Sequence, residues 1–362
     1  MVLLSTAWTD LIRRRLAGQH LTTPGSRAAA DVVRALGAVQ AQDYPGAKWA
    51  VAQRASGVTD DDVERELTAG TILRTHVLRP TWHFVAPQDI RWMLALTAPR
   101  VTAAMAYHAR ANELTPACFR RSNALLTRAL AGGKHLTRPD LAKVLQRAGL
   151  GATTSQRVGL LMRAELDAVV CSGPRRDKQF TYAFFDERVP PSAPLDRDAA
   201  LLELTRRYFG TRGPAAARDF AWWSGLTLAD SKRGIDIAGP ELHHVALDDA
   251  RYYFIDRDLP RAKPSAHLLP NYDEYFIGYK NRGAIAHRLG HSKPVTGGNA
   301  LISHVVFVDG QLVGNWKRSI EKTQVAIELD LAVPLTRAER ARIASAAKQL
   351  GAFHRLSATV SG

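Results

Sequence analysis

Residues 39–43 read Val39-Gln40-Ala41-Gln42-Asp43, and they lie between an apolar run at 32–38 and Pro45. The spacing of the apolar residues predicts a helix, and a residue before proline is driven out of the helical region. The helix should therefore end at Gln42 or Asp43. Two side chains with one residue between them do not share a face of a regular helix. Either the helix loosens so that both amides bind one ligand, or they are ordinary polar residues at a helix end.

The chain carries a large positive charge. Its 362 residues contain 49 Lys and Arg against 34 Asp and Glu, which leaves a net charge of +15. Such a surplus favours a polyanionic partner, nucleic acid before an anionic membrane. The alternative is a compositional or solubility bias in a chain rich in Arg and Ala. The length indicates two or three domains with enough apolar sequence for real cores.

Cysteine usage and the first residues indicate a compartment. Cys118 and Cys171 are too few for a disulfide framework and lack the CxxC spacing of a thiolate metal site. The first ten residues have no basic lead-in and are too short and polar for a signal peptide. No apolar run reaches the ~18 residues of a membrane span. We therefore expect a cytoplasmic protein with no membrane partner.

The order of predicted elements recurs three times along the chain. Each repeat has three helices followed by a β-hairpin, which is the plan of a winged helix-turn-helix, and the best internal echo is between helix starts at 137–139 and 211–214. We predict an α+β fold of tandem units that pack together, the alternative being that the three-fold pattern is spurious. The predicted parts are unit 1 at 1–115, which carries Gln40-Ala41-Gln42, unit 2 at 116–190, unit 3 at 195–262, and a strand-rich segment with a closing helix at 263–362.

Local signals set several element boundaries. Pro45 should open a helix, and Thr59 should cap another whose first turn holds three aspartates, residues 60–62. Strands are predicted on both sides of residues 78–80, and Asp309-Gly310 is typical of a hairpin turn. Further predictions are a proline-rich linker at 188–194, a mobile basic loop at 285–298 and a closing helix at 337–350.

No residue pattern indicates a metal or cofactor site. The aspartates at 60–62 are better explained as a helix cap than as metal ligands. His243 and His244 are strand neighbours that point to opposite faces, so we interpret them as wing residues. The sequence contains no GxSxG, HExxH or P-loop motif. A nuclease or NTPase function therefore finds no support, and we predict neither a metal nor a cofactor.

Two segments have the composition of nucleic-acid contacts. Arg175, Arg176 and Lys178 form a basic wing that fits phosphate or groove contact, unless it is simply a solvated turn. Residues 79–84 hold a cation, an aromatic ring and an imidazole in Arg79, Trp82 and His83, a combination that suits an unstacked nucleotide. Equally, the period-two spacing of the aromatic residues 82 and 84 fits one face of a core strand.

Three stretches together carry a family resemblance. Residues 40–42, 78–84 and 268–275 resemble the AlkZ-like DNA glycosylases, bacterial enzymes of tandem winged-helix architecture. The likeness covers essentially the whole chain in order. It is greatest to the branch that unhooks DNA interstrand cross-links and protects the maker of an azinomycin-type antibiotic. The catalytic motif of that branch, Gln–apolar–Gln, maps to Gln40 and Gln42, whereas a related branch has Gln–apolar–Asp. The resemblance assigns no role to Asp43.

The resemblance implies hydrolysis of the N-glycosidic bond of N7-alkylated purines. Such a base is cationic and already a good leaving group, so neutral amides suffice to orient a water or the sugar-phosphate. We expect a monofunctional enzyme, because no lysine stands out as a nucleophile. A cross-linked nucleotide cannot be flipped into a tight pocket, which favours an open, C-shaped basic channel. His287, Arg288 and Lys293, in the predicted basic loop, are expected to probe a groove.

The expected partner is double-stranded DNA, alkylated or cross-linked, bound by a monomer associated with the nucleoid. Phosphate contacts should make binding salt-dependent. Two other functions remain open from the residues. A winged-helix transcriptional regulator would have a dimerisation helix and one dominant recognition helix. A toxin-sequestering protein would bind the free drug without removing bases from DNA.

Overall fold

The structure, a computed structural model, describes residues 5–258, 263–290 and 303–362. Its first part contains a three-stranded antiparallel sheet in the order β1-β3-β2. Gln40 on β1 and Thr75 on β2 both lie opposite His83 on β3. The elements are α1 (Thr6–Gly18), α2 (Ala29–Leu36), β1 (Ala38–Gln40), α3 (Tyr44–Ala52), α4 (Asp60–Ala69), β2 (Leu73–His76) and β3 (Trp82–Val85).

Two helices, α5 (Ile90–Ala104) and α6 (Ala106–Ala111), lead to a second part with the same topology. Its sheet has the order β4-β6-β5, so the second hairpin strand is again central. Two of its helices begin with complete capping boxes, at Thr137 with Asp140 and at Thr153 with Gln156. The elements are α7 (Pro116–Leu130), β4 (Leu136–Thr137), α8 (Arg138–Arg147), α9 (Thr154–Leu166), β5 (Val170–Ser172), β6 (Thr181–Phe184) and α10 (Phe185–Arg188).

The third part repeats the order with a reduced sheet. Its hairpin pairs β7 with β8, and Ala215 bridges to Tyr253 on β8 at the place that β1 and β4 occupy in their sheets. The second hairpin strand is therefore central in all three sheets. The elements are α11 (Arg197–Arg212), α12 (Ala217–Ser224), α13 (Leu228–Ala238), a 3-10 turn (Gly239–Glu241), β7 (His243–Leu247) and β8 (Ala250–Phe254).

The C-terminal part is a five-stranded sheet in the order β13-β12-β11-β10-β9, in which only β12 and β13 are parallel. The predicted hairpin turn is confirmed, since Asp309 and Gly310 both have positive φ. The elements are β9 (Ala266–Leu269), α14 (Glu274–Ile277), α15 (Gly283–Ala286), a 3-10 turn (His287–Leu289), β10 (Val305–Val308), β11 (Gln311–Ile320), β12 (Gln324–Leu331), α16 (Arg337–Phe353) and β13 (Ser357–Ser361).

Three sequence predictions are corrected by this structure. The helix before the Gln pair ends at Leu36 rather than at Gln42 or Asp43, because Gly37 has φ +78° and the chain then pairs as β1. Thr211 and Arg212 are the last residues of α11, so the next helix starts at Ala217. The predicted basic loop at 285–298 begins in α15 and its 3-10 turn, and its remaining residues lie outside the described ones.

Strand β1 lies between two hydrophobic cores. Val39 packs with Phe84 and with residues of the C-terminal sheet and α16. Ala38, on the opposite face, packs with residues of α5, α11 and α12. Burial on both faces fixes the register of β1, because a one-residue slip would exchange the two sets of side chains. Within the described residues, no helix has both the length and the apolar composition to cross a bilayer.

Candidate active site

Gln40 lies on a strand, and Gln42 lies in the bend that follows it. Gln40 is the last residue of β1, and the Ala41 amide continues the pairing by donating to the Trp82 carbonyl at 2.7 Å. Gln42 stands just before Asp43, the N-cap of α3. Both side-chain oxygens contact residues 79–82, that of Gln40 at Arg79 and that of Gln42 at the Trp82 amide. Gln40 is 7% exposed, and Gln42 is exposed.

The two carboxamides are held very differently. Gln40 Oε1 accepts a hydrogen bond from Arg79 Nη2 at 2.6 Å, and Arg79 Nη1 donates to the Trp222 carbonyl at 3.3 Å. Burial lowers the pKa of Arg79 to about 10, so the guanidinium remains charged at neutral pH. Gln42 Oε1 lies 3.5 Å from the Trp82 amide nitrogen, at the limit of a hydrogen bond. Gln40 is thus fixed, whereas Gln42 is loosely held.

A buried ion pair forms hydrogen bonds with the backbone of β1. Glu274 Oε1 accepts from the Gln40 backbone amide at 2.8 Å, and its Oε2 accepts from Arg212 Nη2 at 2.5 Å and from Trp223 Nε1 at 2.8 Å. Arg212 also donates to the carbonyls of Leu36 and Ala38. The side chains of Glu274 and Arg212 are 0% exposed. Residues of the third and C-terminal parts therefore hold both ends of the strand that carries Gln40.

Two more buried or half-buried arginines support the same segment. Arg54 makes two 2.8 Å bonds to the carboxylate of Asp273, the neighbour of Glu274. Arg74 donates to the Ala41 carbonyl from Nε at 3.2 Å and from Nη2 at 3.1 Å. No local sequence pattern points to a role for these residues, or for Glu274 and Arg212. The family resemblance of residues 268–275 is the one sequence feature that includes any of them, namely Asp273 and Glu274.

His83 lies directly opposite Gln40 and is fully buried. Its Nδ1 is 2.9 Å from the Thr81 carbonyl, which only accepts, so Nδ1 carries the proton and Nε2 is an acceptor. Nε2 has no hydrogen-bond partner among the described residues. Burial, with the nearby charge of Arg79, lowers the pKa of His83 well below its usual value of 6.5. The imidazole is therefore neutral and enclosed, which does not suit the contact with an unstacked nucleotide expected from the sequence.

The aromatic residues of β3 divide between core and surface. Phe84 is fully buried, as the core-strand interpretation predicts. Trp82 is half-buried, with its ring 4.4 Å from that of His76 and the Arg74 guanidinium 4.4 Å above it. Trp82 is the first residue of β3, so its half-buried side chain stands at the end of the central strand, next to the loosely held Gln42.

The basic wing of the second part reaches the segment after the Gln pair. Arg175 lies 5.3 Å from the ring centroid of Tyr44 and 5.2 Å from that of Phe180. Arg176 and Lys178 are exposed, and Arg176 pairs with Asp140 at 3.2 Å. Only the first of the three predicted contacts is therefore brought close to the Gln motif by these interactions.

The predicted basic residues of the C-terminal part occupy different surroundings. Arg288 is bound to Glu339, at 2.6 and 3.2 Å, and these bonds lower the pKa of Glu339 to about 2. His287 is exposed, and Lys293 lies outside the described residues. The charge of Arg288 is thus already neutralised within the protein.

The surroundings of Gln40 are cationic and partly aromatic. The nearby charges of Arg212 and Arg282 contribute to the lowered pKa of Arg79, and Glu274 opposes them. Trp222 is 39% exposed, and its indole Nε1 donates to the Ile277 carbonyl at 3.0 Å. The described residues contain no group of three or more His, Cys, Asp or Glu that could hold a metal ion. The arrangement offers neutral amides and fixed positive charge.

Comparisons with known proteins identify the family of this chain. The profile of the family described as "DNA glycosylase AlkZ-like" matches residues 33–353. An interstrand DNA cross-link repair glycosylase of Streptomyces sahachiroi is 25% identical over 338 residues, which cover 87% of this chain and 88% of that protein. The solved structure of Streptomyces sahachiroi DNA glycosylase AlkZ superposes with a TM-score of 0.79 at 22% identity, covering 99% of this chain and 100% of the other.

The structural match shows that the predicted α+β class is confirmed. The family profile begins before Gln40 and ends in α16, so it includes the Gln pair, the ion pairs that hold it and most of the C-terminal sheet. This chain therefore belongs to the AlkZ-like family of DNA glycosylases.

Proposed function

We propose that this protein hydrolyses the N-glycosidic bond of N7-alkylated purines in DNA and unhooks interstrand cross-links. The observation that carries the proposal is the position of Gln40 and Gln42. The Gln40 backbone is held by a buried ion pair, its side-chain oxygen is bound to the fixed cation of Arg79, and the Gln42 oxygen contacts the Trp82 amide close by. The printed description of the Streptomyces sahachiroi relative, an interstrand DNA cross-link repair glycosylase, supports the same reaction.

The proposed chemistry asks little of the protein beyond orientation. An N7-alkylated purine carries positive charge, and it becomes neutral when it leaves with the electron pair of the C1′–N9 bond. Water then forms the new bond to C1′ and releases its proton to solvent. Preorganised hydrogen-bonding groups lower the barrier of such a step by fixing the water and the sugar-phosphate. A strong general base is not needed, which agrees with two neutral carboxamides.

Water rather than lysine is the proposed nucleophile, so the product is an abasic site. Lys48 is the lysine nearest to the Gln pair in sequence, and it is 5% exposed. Its Nζ donates to Asp60 at 2.8 Å and to Glu64 at 3.0 Å. A Schiff base requires an amine with access to the sugar, whereas the Lys48 amine is enclosed and bound to these two carboxylates.

We further propose that the three parts with equivalent sheets are winged-helix units lining an open, C-shaped basic channel. The shared position of the second hairpin strand supports this interpretation. Their boundaries are proposed at 1–115, 116–190 and 195–262, with the C-terminal segment at 263–362. An open channel suits a cross-linked nucleotide, which is tied to the other strand and cannot be flipped out. A monomer supplies all three units.

Exposed basic side chains of the second unit and of the C-terminal segment are proposed to contact DNA phosphates. Arg176, Lys178 and His287 are exposed. Arg79, Arg175 and Arg288 are engaged with groups of the protein itself, so we propose positioning or structural roles for them first. In the cell, the enzyme is proposed to act at the nucleoid and to give self-resistance to an azinomycin-type antibiotic, as the family resemblance implies.

The proposal is tested by incubating the purified protein with DNA that contains N7-methylguanine and with cross-linked duplex. Mass spectrometry should detect the modified purine released from both. Gln40→Ala and Gln42→Ala should each lower the rate of release by about 100-fold, since removing one preorganised donor commonly has that effect. Gln88→Ala, at an exposed glutamine of the same unit, is the control and should leave the rate unchanged.

Two outcomes would contradict the proposal. If both glutamine variants retain full base release, the motif assignment is wrong. If wild type binds the free drug, or binds DNA, but releases no base, the protein is a sequestering protein or a regulator instead.

A further inference from the structure

The hydrogen bond between Arg79 and Gln40 fixes which way the carboxamide faces. A guanidinium group has five N–H donors and no acceptor, so its 2.6 Å partner must be the amide oxygen. The usual uncertainty between the oxygen and nitrogen of a glutamine therefore does not arise here. With Oε1 turned to Arg79, the NH₂ group of Gln40 points away from that arginine. No hydrogen bond joins this NH₂ group to another of the described residues.

Arg79 is itself held in place by the third part of the chain. Its Nη1 donates to the Trp222 carbonyl, near the end of α12. At the cap of that helix, Gly225 has φ +70°, and a Cβ there would lie only 2.2 Å from the Leu78 carbonyl oxygen. This close approach of backbones fixes the loop that carries Arg79. The Arg79 side chain is therefore fixed by bonds within the protein, unlike a flexible surface arginine that is free to bind a phosphate.

Gln42 differs from Gln40 in having an exposed side chain, whose oxygen can accept a hydrogen bond from a nucleophilic water. Its side chain is exposed, and its oxygen makes only a 3.5 Å contact to the Trp82 amide. A water that attacks C1′ must direct a lone pair at carbon, so the protein can hold it best through acceptors for its protons. The free oxygen of Gln42 meets this need. The NH₂ group of Gln40 does not, but it matches an anionic phosphate oxygen beside the lesion.

We propose that Arg79 is a positioning residue that turns the Gln40 carboxamide so that its NH₂ group faces the DNA. Gln40 then donates to a phosphate oxygen next to the lesion, and Gln42 accepts from the attacking water. This inference rests on the proposed glycosylase function and divides the roles of the two amides within it.

Isosteric replacement separates donor from acceptor. Gln40→Glu keeps the length of the side chain and the acceptor for Arg79 but loses the NH₂ group. It should release modified purine as slowly as Gln40→Ala, about 100-fold below wild type. Gln42→Glu still accepts from water and should stay within about tenfold of wild type, a margin below the loss expected for a missing catalytic contact. Gln40→Glu with a rate close to wild type would overturn the assignment of Gln40 as donor.

The role of Arg79 is tested by separating rate from affinity. Arg79→Met should lower the single-turnover rate by about tenfold, within the range of losses seen for misorientation, and leave the Kd for damaged duplex nearly unchanged. Arg79→Lys should restore part of the rate. In a Gln40→Ala background, Arg79→Met should cause no further loss, because residues that act through one another are not additive.

Different results would overturn the role of Arg79. A raised Kd, a weaker salt dependence and an unchanged single-turnover rate would identify a phosphate contact. Losses that multiply in the double variant would show that Arg79 acts independently of Gln40. If Arg79→Met fails to fold, Arg79→Lys and Gln40→Glu still decide. Failure of wild type to release any base would contradict the glycosylase function, whereas an active wild type with an active Gln40→Glu would contradict only this inference.

Discussion

Strands β1 and β4 occupy the same place in equivalent sheets, yet they are stabilised differently. In β4, Thr137 forms a capping box with Asp140, so its side chain is used to start the next helix. In β1, the following helix has Asp43 as N-cap without a side-chain capping bond. The backbone of β1 is held instead by Glu274 and Arg212, from other parts of the chain.

This difference lets one topology provide both a structural strand and the proposed active-site strand. In β4, the side chain of Thr137 is already hydrogen-bonded in the helix cap and cannot also bind a ligand. Support from distant ion pairs leaves the side chains of Gln40 and Gln42 available for a ligand. The following predictions test this comparison.

The largest expected effect is on the distant support of β1. Glu274→Ala leaves Arg212 buried without its partner and removes the acceptor of the Gln40 amide. Breaking a buried pair in this way costs about 3–5 kcal/mol of unfolding free energy. Chemical denaturation measures the loss. Glu241→Ala, at an exposed pair with Arg206, is the control and should stay within about 0.5 kcal/mol of wild type. Equal losses in the two variants would refute the special role of the buried pair.

The second effect is a pH dependence of stability to which His83, a buried histidine of the first sheet, contributes. The pKa of His83 is held well below 6.5 by burial, and that of His267 is lowered to about 4 for the same reason. Below pH 6.5 the unfolded chain therefore binds protons that the folded chain does not. Stability is present above pH 6.5 and is lost as the pH falls, by about 1.4 kcal/mol per pH unit for each histidine.

Urea unfolding at pH 7.5 and 5.5 measures this dependence. His83→Gln should reduce the difference by the share of one histidine, while the share of His267 remains. His243→Gln, at an exposed histidine, should leave the difference unchanged. An equal pH difference in wild type and His83→Gln would show that His83 titrates normally. In the second sheet, Thr181 stands opposite Thr137, so that sheet has no titrating counterpart.

A smaller effect is expected for the local cap of β4. Thr137→Ala removes the capping box at the start of α8 and should cost about 1 kcal/mol. Base release at saturating DNA should remain at the wild-type rate, because this strand carries no proposed catalytic residue. A strong loss of base release without loss of stability would mean that the two strands do not differ in the way described here.

The smallest effect concerns the exposed wing of the second part. Arg176→Ala and Lys178→Ala should each reduce the slope of log Kd against log salt by about one. Arg288→Ala is the comparison. Its pair with Glu339 is largely enclosed, whereas the pair of Arg176 with Asp140 is open to solvent, so removing Arg288 should not change the slope. Binding titrations at several salt concentrations measure the slopes. A reduced slope for Arg288→Ala would place DNA at the C-terminal part instead.

Much of the local structure could be predicted from the sequence. The cap at Thr59, the helix start at Thr137 and the Asp309-Gly310 turn depend on neighbouring residues, and their predictions are confirmed. The sequence contains two signals for the end of the first-unit helix, Gly37 and Pro45. Pro45 predicts an end at Gln42 or Asp43, but the helix ends at Leu36 because Gly37 adopts a positive φ that stops it earlier.

The support of the candidate site could not be predicted, because it joins residues far apart in sequence. Glu274 reaches Gln40 across 234 positions, and Arg74 reaches the Ala41 carbonyl across 33. Neither contact leaves a local pattern. Strand β13 was also missed, since its pairing partner β12 lies on the other side of α16. The Gln pair itself was identified only through the family resemblance.

The most direct test of the central claim is single-turnover release of modified purine from cross-linked duplex, followed by mass spectrometry. Wild type is predicted to free the alkylated purine and leave an abasic site. Gln40→Ala is predicted to bind the same duplex but to release the purine about 100-fold more slowly. Release at the wild-type rate by Gln40→Ala, or no release by wild type, would contradict the account.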